Sequence, residues 1–153
     1  MIEILETKPD HVLLLRENLR EQDASEICKF GLPIRKALWR SYKNSIFCRT
    51  AFVDGQIAGI WGLHGVLLGE TGCPWLLTSP IVERFPIHFA LLYRQEIREM
   101  QDYFDKLENW VDAAYSKSIR MLELIGFTVD EPVKISVLKS DNLFRKFHLE
   151  SRI

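Results

Sequence analysis

The sequence predicts an α/β (α+β) protein with a mixed central sheet of about six or seven strands and helices on both of its faces. Three observations predict this class. Asp54-Gly55 separates two apolar runs rich in β-formers and is typical of a tight hairpin turn. Apolar residues recur every three or four positions from 89 to 104, as in a long amphipathic helix. A second such repeat stops at Gly126, and glycine commonly ends helices.

The first third of the chain is predicted to form a strand and three short helices. Residues 2–6 alternate in polarity as a strand does, and Pro9 suits the first turn of the helix that follows. Asp23-Ala-Ser-Glu26 has the form of a capping box at the start of a second helix, and Gly31 would end that helix. A third helix would begin at Pro33.

The remaining elements continue this alternation. The hairpin arms are predicted at 46–53 and 56–63, and Trp75-Leu-Leu-Thr78 is predicted to be a buried strand. After the long helix the pattern predicts a strand near 107–113, a helix from Ser116 to Gly126, strands near 127–129 and 133–138, and a tail helix starting near Asp141. The residues expected to be largely buried are Trp75, Phe89, Leu122 and Phe127.

The predicted tail helix has two interpretations. It would place Leu143 and Phe147 one turn apart, beside Arg145 and Lys146. Such a face could cap the domain's own core, or it could be an amphipathic docking element for a partner. The sequence leaves both interpretations open.

Charge and composition restrict where the protein works. Twenty Lys and Arg stand against 21 Asp and Glu, so no global field draws the chain to nucleic acid or to an anionic membrane. The start of the chain is acidic where a signal peptide needs positive charge, and no apolar run approaches the roughly 20 residues of a membrane span. Three scattered cysteines suit free thiols in a reducing compartment. We therefore predict one domain, residues 1–153, that is cytoplasmic and not secreted.

Metal binding and thiol catalysis are not predicted. His11, His64, His88 and His148 are too scattered to form a metal site. Cys73 has no paired histidine in the sequence that would activate it, so we interpret it as a buried structural thiol.

Two segments carry a resemblance to a known family. Val53-Asp-Gly-Gln-Ile-Ala-Gly59 lies in the hairpin, and Ser118-Ile-Arg-Met-Leu-Glu-Leu-Ile-Gly-Phe127 lies in the late helix. Together with the element order, they resemble the GNAT (N-acetyltransferase) superfamily over nearly the whole chain. Within it, Trp75-Leu-Leu-Thr-Ser79 and Leu107-Glu-Asn-Trp-Val111 are similar to small phage GNAT-like proteins, including an internal virion protein of short-tailed coliphages. That likeness implies the host cytoplasm as the location, with the virion as a second one.

The resemblance implies a mostly antiparallel sheet, with acetyl-CoA bound in a V-shaped gap between two splayed strands. The pyrophosphate would be held by backbone N–H groups at the start of the long helix. The residues that would bind the cofactor are Thr78, Ser79, Ile81, Arg84, Ile87 and His88.

The phosphate loop departs from the family pattern Arg/Gln-x-x-Gly-x-Gly/Ala. Its best register here is Arg84-Phe-Pro-Ile87-His-Phe89. Ile87 and Phe89 place apolar bulk where the family has small residues, and Pro86 has no N–H to donate. We therefore expect that residues 85–89 do not hold a pyrophosphate in the usual way. The prediction is no cofactor, or acetyl-CoA if the chain is an enzyme.

The proton donor of the family is also replaced. Many members have an Asn eleven residues before the Gly of the Gly-Phe pair and a Tyr four residues before it. These positions are Tyr115 and Leu122 here, and leucine cannot donate a proton. The candidates for proton transfer are therefore Tyr115, Tyr93, Glu83, His64 and His88.

Two functions from different classes follow. The first is a phage-type accessory or virion-assembly protein with a degenerate acetyl-CoA site, which binds a phage or host protein. The second is an acyl-CoA-dependent N-acetyltransferase that acts on an amine of a protein or small molecule. The replaced glycines and tyrosine favour the first, and whether the chain is an enzyme stays open. An oligomer is compatible with both, and neither nucleic acid nor a membrane is an expected partner.

Overall fold

The structure, a computed structural model, describes residues 1–66, 68–136, 138 and 141–153. The helices and strands are β1 (Ile2–Glu6), α1 (Pro9–Asn18), α2 (Glu21–Lys29), α3 (Ile34–Asn44), β2 (Ser45–Val53), β3 (Gln56–His64), β4 (Thr71–Thr78), α4 (Pro86–Met100), β5 (Lys106–Asp112), α5 (Ser116–Ile125), β6 (Thr128–Val129), β7 (Val133–Lys134) and β8 (Leu143–Leu149). A 3-10 helical turn, Pro80–Arg84, precedes α4.

The chain divides into two compact units. Unit 1 comprises Met1–His64 and Trp75–Phe85, and unit 2 comprises Gly65–Pro74 and Pro86–Ile153. Hydrogen bonding orders the strands β1-β2-β3-β4-β5-β8-β6, with β7 paired to β8. Pairing is antiparallel for β1 with β2, for β2 with β3 and for β8 with each of its partners, and it is parallel for β4 with β5. The predicted mixed, mostly antiparallel α/β class is confirmed, with eight strands in the part of the chain described.

The hairpin of unit 1 forms as predicted around Asp54-Gly55. Both residues have left-handed backbone, with φ 48° at Asp54 and 82° at Gly55, as a two-residue turn of this type requires. β2 and β3 therefore pair along their length up to Val53↔Gln56. β1 pairs with the other edge of β2.

The core of unit 1 lies between its helices and β3. Val12 and Leu15 come from α1, Leu38 comes from α3, and they pack in one cluster with Ile57 and Ile60 of β3. All five side chains are at most 5% exposed. Because this burial recurs at helical spacing in α1, the amphipathic pattern of the helix is what attaches it to the sheet.

Helix α2 begins earlier than the capping-box pattern predicted. It starts directly after Arg20, and no side chain caps it. The Asp23 carboxylate accepts hydrogen bonds from Thr78 instead, so the predicted cap at Asp23 is wrong. The predicted end is right, because Gly31 has φ 75° and its N–H donates to the carbonyl of Cys28.

Trp75 is partly buried and packs against the apolar cluster of unit 1, in agreement with its predicted burial. Its indole Nε1–H donates to Ser45 Oγ at 2.7 Å. An indole N–H needs an acceptor when it is partly buried, and Ser45 supplies it. The strand that carries Trp75 is longer than predicted, since β4 begins at Thr71.

Helices α4 and α5 supply much of the interior of unit 2. The predicted burial is confirmed for Phe89, Leu122 and Phe127, which are 3%, 7% and 4% exposed. Gly126 ends α5 as predicted. Its φ is 126°, and a Cβ at this position would lie 2.9 Å from Ile153 Cγ2, so both the backbone and the packing require glycine.

The predicted tail helix is wrong, because this segment forms strand β8. It pairs antiparallel with β5 from Leu107↔Leu149 to Asp112↔Phe144, and β6 and β7 pair with it as well. A helix here would leave the main-chain groups of β5 without these partners. Leu143 and Phe147 therefore do not form a helical face, either for the core or for docking.

The strands before β8 are shorter than predicted. β6 and β7 each span two residues, Thr128–Val129 and Val133–Lys134. Position 137 of the predicted strand 133–138 lies outside the described residues. Within the described ranges, no helix is long and apolar enough to cross a membrane.

His11 of α1 belongs to a hydrogen-bonded cluster with β2. Its Nδ1 accepts the N–H of Lys8 at 3.1 Å and lies 3.1 Å from Thr50 Oγ1. A protonated Nδ1 carries a hydrogen and cannot accept the Lys8 N–H. Burial, followed by the charge of Lys8, lowers the pKa of His11 from 6.5, and Asp10 opposes this with a smaller effect.

We expect the free energy of unfolding to rise with pH between the folded-state pKa of His11 and about 6.5. Between the folded-state pKa and about 6.5 only the unfolded chain binds the proton, so lowering the pH favours unfolding; below the folded-state pKa both states are protonated. Urea unfolding at about pH 7.5 and about pH 5 measures this fall. The variant His11→Gln cannot titrate and should show a smaller fall. An equal fall in both proteins would assign the effect to other groups.

Candidate functional site

Strands β4 and β5 part soon after they meet. They pair in parallel at two positions, Thr71↔Lys106 and Gly72↔Leu107. At Pro74, the carbonyl accepts the side-chain amide of Asn109 at 2.8 Å, where a continued ladder would use a main-chain N–H. The main-chain ladder between the two strands therefore ends within unit 2, as splayed strands require.

The first turn of α4 holds the predicted phosphate loop. Pro86 opens the helix and brings no N–H. Ile87 is 68% exposed and His88 is exposed, whereas Phe89 is 3% exposed. Phe89 is thus part of the interior of unit 2 and adds no bulk to the exposed surface of this turn. The expected apolar obstruction is limited to Ile87.

Thr78, a predicted cofactor residue, has its polar groups engaged within unit 1. Its N–H and its Oγ1–H both donate to Asp23 Oδ2, at 2.9 and 3.0 Å. Its carbonyl accepts the N–H of Arg20 at 2.8 Å. Because Thr78 is only 3% exposed, a ligand reaches these groups only if Asp23 or Arg20 moves.

Ser79 is engaged in the same way by β3. Its hydroxyl donates to the Ile57 carbonyl at 2.6 Å, and its N–H donates to the Ala58 carbonyl at 2.9 Å. Ser79 is also 3% exposed. These contacts give it a structural role at the end of β4.

The 3-10 turn after Ser79 carries three further candidates. Ile81 is half-buried, and Glu83 and Arg84 are exposed. Arg84 is therefore a cation available to an anionic group, and the Glu83 carboxylate is open to an incoming amine.

The candidate positions for a proton donor differ in how far their side chains are exposed to solvent. Tyr115 is half-buried at the residue before α5, and its N–H donates to the carbonyl of Asp112 at 3.1 Å. Leu122 is buried on α5, so this helix position is interior. Tyr93 is 3% exposed, and burial, with the nearby Glu96 and Cys73, raises the pKa of its phenol. Tyr115 is the more exposed residue of the two.

His64 has only Nδ1 to serve as a base, because its other ring nitrogen is engaged. Its Nε2 lies 3.0 Å from the Ser41 carbonyl, which can only accept, so Nε2 carries the hydrogen of that bond. His88 is exposed on the first turn of α4 and is the more accessible imidazole.

The thiol of Cys73 is consistent with a structural role. Burial raises its pKa to about 11, and the charge of Glu108 adds to the effect. It is half-buried and free, and it stays protonated at neutral pH. In the described part of the chain, no group of three or more His, Cys, Asp or Glu side chains is arranged to hold a metal ion.

The structure places the candidates in two groups. The set in unit 1 lies within residues 78–84 and consists of Thr78, Ser79, Ile81, Glu83 and Arg84. The set in unit 2 has Ile87 and His88 on α4 and Tyr115 just before α5.

Sequence reasoning missed two carboxylates. Asp23 was interpreted as a helix cap, and nothing local signals its bond to a residue 55 positions away. Asp112 is 2% exposed and accepts the Ala114 N–H on Oδ1 at 2.9 Å, which shapes the turn that leads to Tyr115. Its position at the end of a predicted strand, two residues before a backbone donor, is a weak signal for such a turn.

Comparison with known proteins gives a consistent structural likeness. No protein-family model matches the sequence, and no curated protein matches it. An acetyltransferase of the GNAT family from Streptococcus pneumoniae is similar in structure, with a TM-score of 0.65, 14% identity, and coverage of 97% of this chain and 98% of that one. An N-acetyltransferase from Staphylococcus aureus Mu50 gives a TM-score of 0.70, 13% identity and coverage of 98% of both chains.

A third similar structure is the ribosomal-protein-S18-alanine N-acetyltransferase from Escherichia coli. Its TM-score is 0.65 at 14% identity, with 97% of this chain and 91% of that chain covered. Likeness at such low identity concerns the course of the backbone and not the site residues. Together these neighbours show that the chain has the GNAT fold.

Proposed function

We propose that this chain is an acyl-CoA-dependent N-acetyltransferase that acts on an amine of a protein or small molecule. The observation that carries the proposal is the parting of β4 and β5 after Gly72. An extended ligand with amide groups can pair with a strand edge in the way a further strand would. The likeness of the fold to three acetyltransferases supports this assignment.

The residues present fit acetyl-CoA on three counts. Within unit 2 the main-chain ladder beside β4 ends early, and the exposed first turn of α4 carries a helix dipole suited to anions. Within unit 1, Arg84 is an exposed cation. In addition, Arg20 Nε is buried and has no hydrogen-bond partner among the described residues, so this donor lacks an acceptor. Three residues do not fit as they stand: Thr78 is held by Asp23, Pro86 has no N–H, and Ile87 exposes apolar bulk.

The chain has its own groups for moving protons. Acetyl-CoA, when bound, supplies an acetyl group activated as a thioester. The Glu83 carboxylate and the His88 imidazole can take a proton from an amine, and the Tyr115 hydroxyl can return one to a leaving group. All three lie at exposed or half-buried positions.

A second candidate function is protein binding on a fold whose cofactor site has degenerated. The engaged groups of Thr78 and the missing N–H of Pro86 favour it. That the partner is a phage or host protein, and that the protein acts in the host cytoplasm or the virion, stay predictions.

Calorimetry with acetyl-CoA tests the proposed function. We expect binding with Kd below about 1 mM, equivalent to about −4 kcal/mol. Arg84→Ala should weaken binding by about two- to fivefold, because it removes an exposed cation near a phosphate. The matched control is Arg98→Ala, which removes another exposed cation, from the last turn of α4, and should leave Kd unchanged.

Equal weakening by Arg84→Ala and Arg98→Ala would show a general charge effect and remove Arg84 from the site. The Asp23→Ala variant removes the carboxylate that holds Thr78. If millimolar acetyl-CoA binds neither the unmodified protein nor this variant, the acetyltransferase proposal fails and protein binding takes its place.

A further inference from the structure

Arg20 and Asp23 hold the end of strand β4 from both sides of one residue. Asp23 Oδ2 accepts the N–H and the hydroxyl of Thr78, while the main-chain N–H of Arg20 donates to the Thr78 carbonyl. The two side chains are themselves joined, with Arg20 Nη2 3.2 Å from Asp23 Oδ1. We call this arrangement the Arg20–Asp23 clasp.

The clasp occupies the edge of β4 that faces away from β3. Ser79 N–H donates to Ala58 on β3, and neighbouring residues of an extended chain present their main-chain groups to opposite edges. The Thr78 N–H and carbonyl therefore face the other edge, where the clasp meets them. By the same two-residue period, the main-chain groups of Leu76 face that edge too. A ligand that pairs with β4 beyond Leu76 has to displace the clasp.

The clasp leaves one buried hydrogen-bond donor without an acceptor and keeps two charges away from water. Arg20 is 18% and Asp23 is 12% exposed, so both charges are largely withdrawn from water. Arg20 Nε is buried without a hydrogen-bond partner in the described structure. A ligand oxygen beside Arg20 would supply the acceptor that the closed form lacks.

We infer that the Arg20–Asp23 clasp is a built-in closure of the acyl-CoA site, and that cofactor binding requires Asp23 to release Thr78. The inference rests on the proposed function. In the closed state the Asp23 carboxylate takes the place of a ligand carbonyl at the Thr78 N–H. The measured Kd is then the intrinsic Kd divided by the fraction of molecules with the clasp open.

Removal of the Asp23 carboxylate tests the inference. If about one molecule in ten is open, Asp23→Ala should bind acetyl-CoA about tenfold more tightly than the unmodified protein. Loss of one negative charge alone could favour an anionic ligand, so the control is Glu21→Ala. Glu21 is exposed on the same helix, and its removal changes the net charge equally without touching the clasp. The Glu21→Ala variant should bind within about twofold of the unmodified protein.

Hydrogen exchange at the Thr78 amide supplies a readout that needs no ligand. This N–H should be protected in the unmodified protein and in Glu21→Ala, and less protected in Asp23→Ala. If Asp23→Ala does not fold, Thr78→Val removes one of the two contacts to Asp23 and should still tighten binding by about two- to threefold.

The outcomes separate the two proposals. Equal or weaker binding by a folded Asp23→Ala overturns the clasp and leaves the acetyltransferase proposal standing. Binding by Asp23→Ala together with weak binding by the unmodified protein supports both. Failure of every variant to bind at millimolar acetyl-CoA overturns both, since there is then no acyl-CoA site to close.

Discussion

Replacement of Phe144 by alanine should lower the free energy of unfolding by about 3–5 kcal/mol. Phe144 is 0% exposed on β8 and lies opposite Asp112 of β5. Truncation of a fully buried phenyl ring loses its transfer free energy and leaves a cavity that the surrounding structure fills only in part. Urea denaturation followed by circular dichroism measures the change.

The neighbouring residue provides the control for this measurement. Leu143 is 46% exposed, and Leu143→Ala should change the free energy of unfolding by less than about 0.5 kcal/mol. Adjacent residues of a strand face opposite sides, so the strand β8 predicts a large difference between the two variants. Similar losses at both positions would contradict the strand and its register with β5.

The second large effect is expected at Leu122. Leu122→Ala should destabilise the protein by about 2–5 kcal/mol, because this side chain is 7% exposed on the inner face of α5. Leu124 of the same helix is 52% exposed, and Leu124→Ala should cost less than about 0.5 kcal/mol. Both free energies can be obtained from one set of urea unfolding curves.

The result at Leu122 also bears on the site. The resemblance to GNAT proteins puts a tyrosine proton donor at this helix position, and burial of Leu122 means that the position belongs to the core. A loss below about 0.5 kcal/mol for Leu122→Ala would place the side chain at the surface. It would then reopen the possibility that this part of α5 faces the reaction and not the interior.

Elements with a local signal were predicted well. The Asp54-Gly55 turn was recognisable because few residue pairs adopt two successive left-handed conformations, and both φ values are positive. Gly31 and Gly126 were predicted as helix ends, and both have positive φ. The inner faces of α4 and α5 followed from their helical period, and Phe89 and Leu122 are buried accordingly.

The tail segment shows where local pattern is insufficient. Leu143 and Phe147 stand four residues apart, which suits a helix, but burial of Phe144, Phe147 and Leu149 together is decided by pairing with β5. That pairing joins parts of the chain that are distant in sequence. A short apolar and charged segment has too weak a preference of its own to outweigh the hydrogen bonds of a strand with a free edge.

The roles of the candidate site residues stay predictions. The resemblance points to Arg84 and His88 because of their place in the sequence at the start of the long helix, and both residues are exposed. Thr78 was selected from resemblance, which carries no information on what else contacts it. Asp23 holds Thr78 across 55 residues, a contact that only the folded chain creates.

The sequence by itself determined the α/β class, the hairpin, the helix ends and the lack of glycine in the phosphate loop, because each of these depends on conformational preferences within a few residues. The tertiary structure alone decided that β8 is a strand and that β4 and β5 part after Gly72. It also decided that Asp23 closes on Thr78. These features depend on which strands pair and on which buried charged groups come into contact. Such contacts form only when segments distant in sequence pack together.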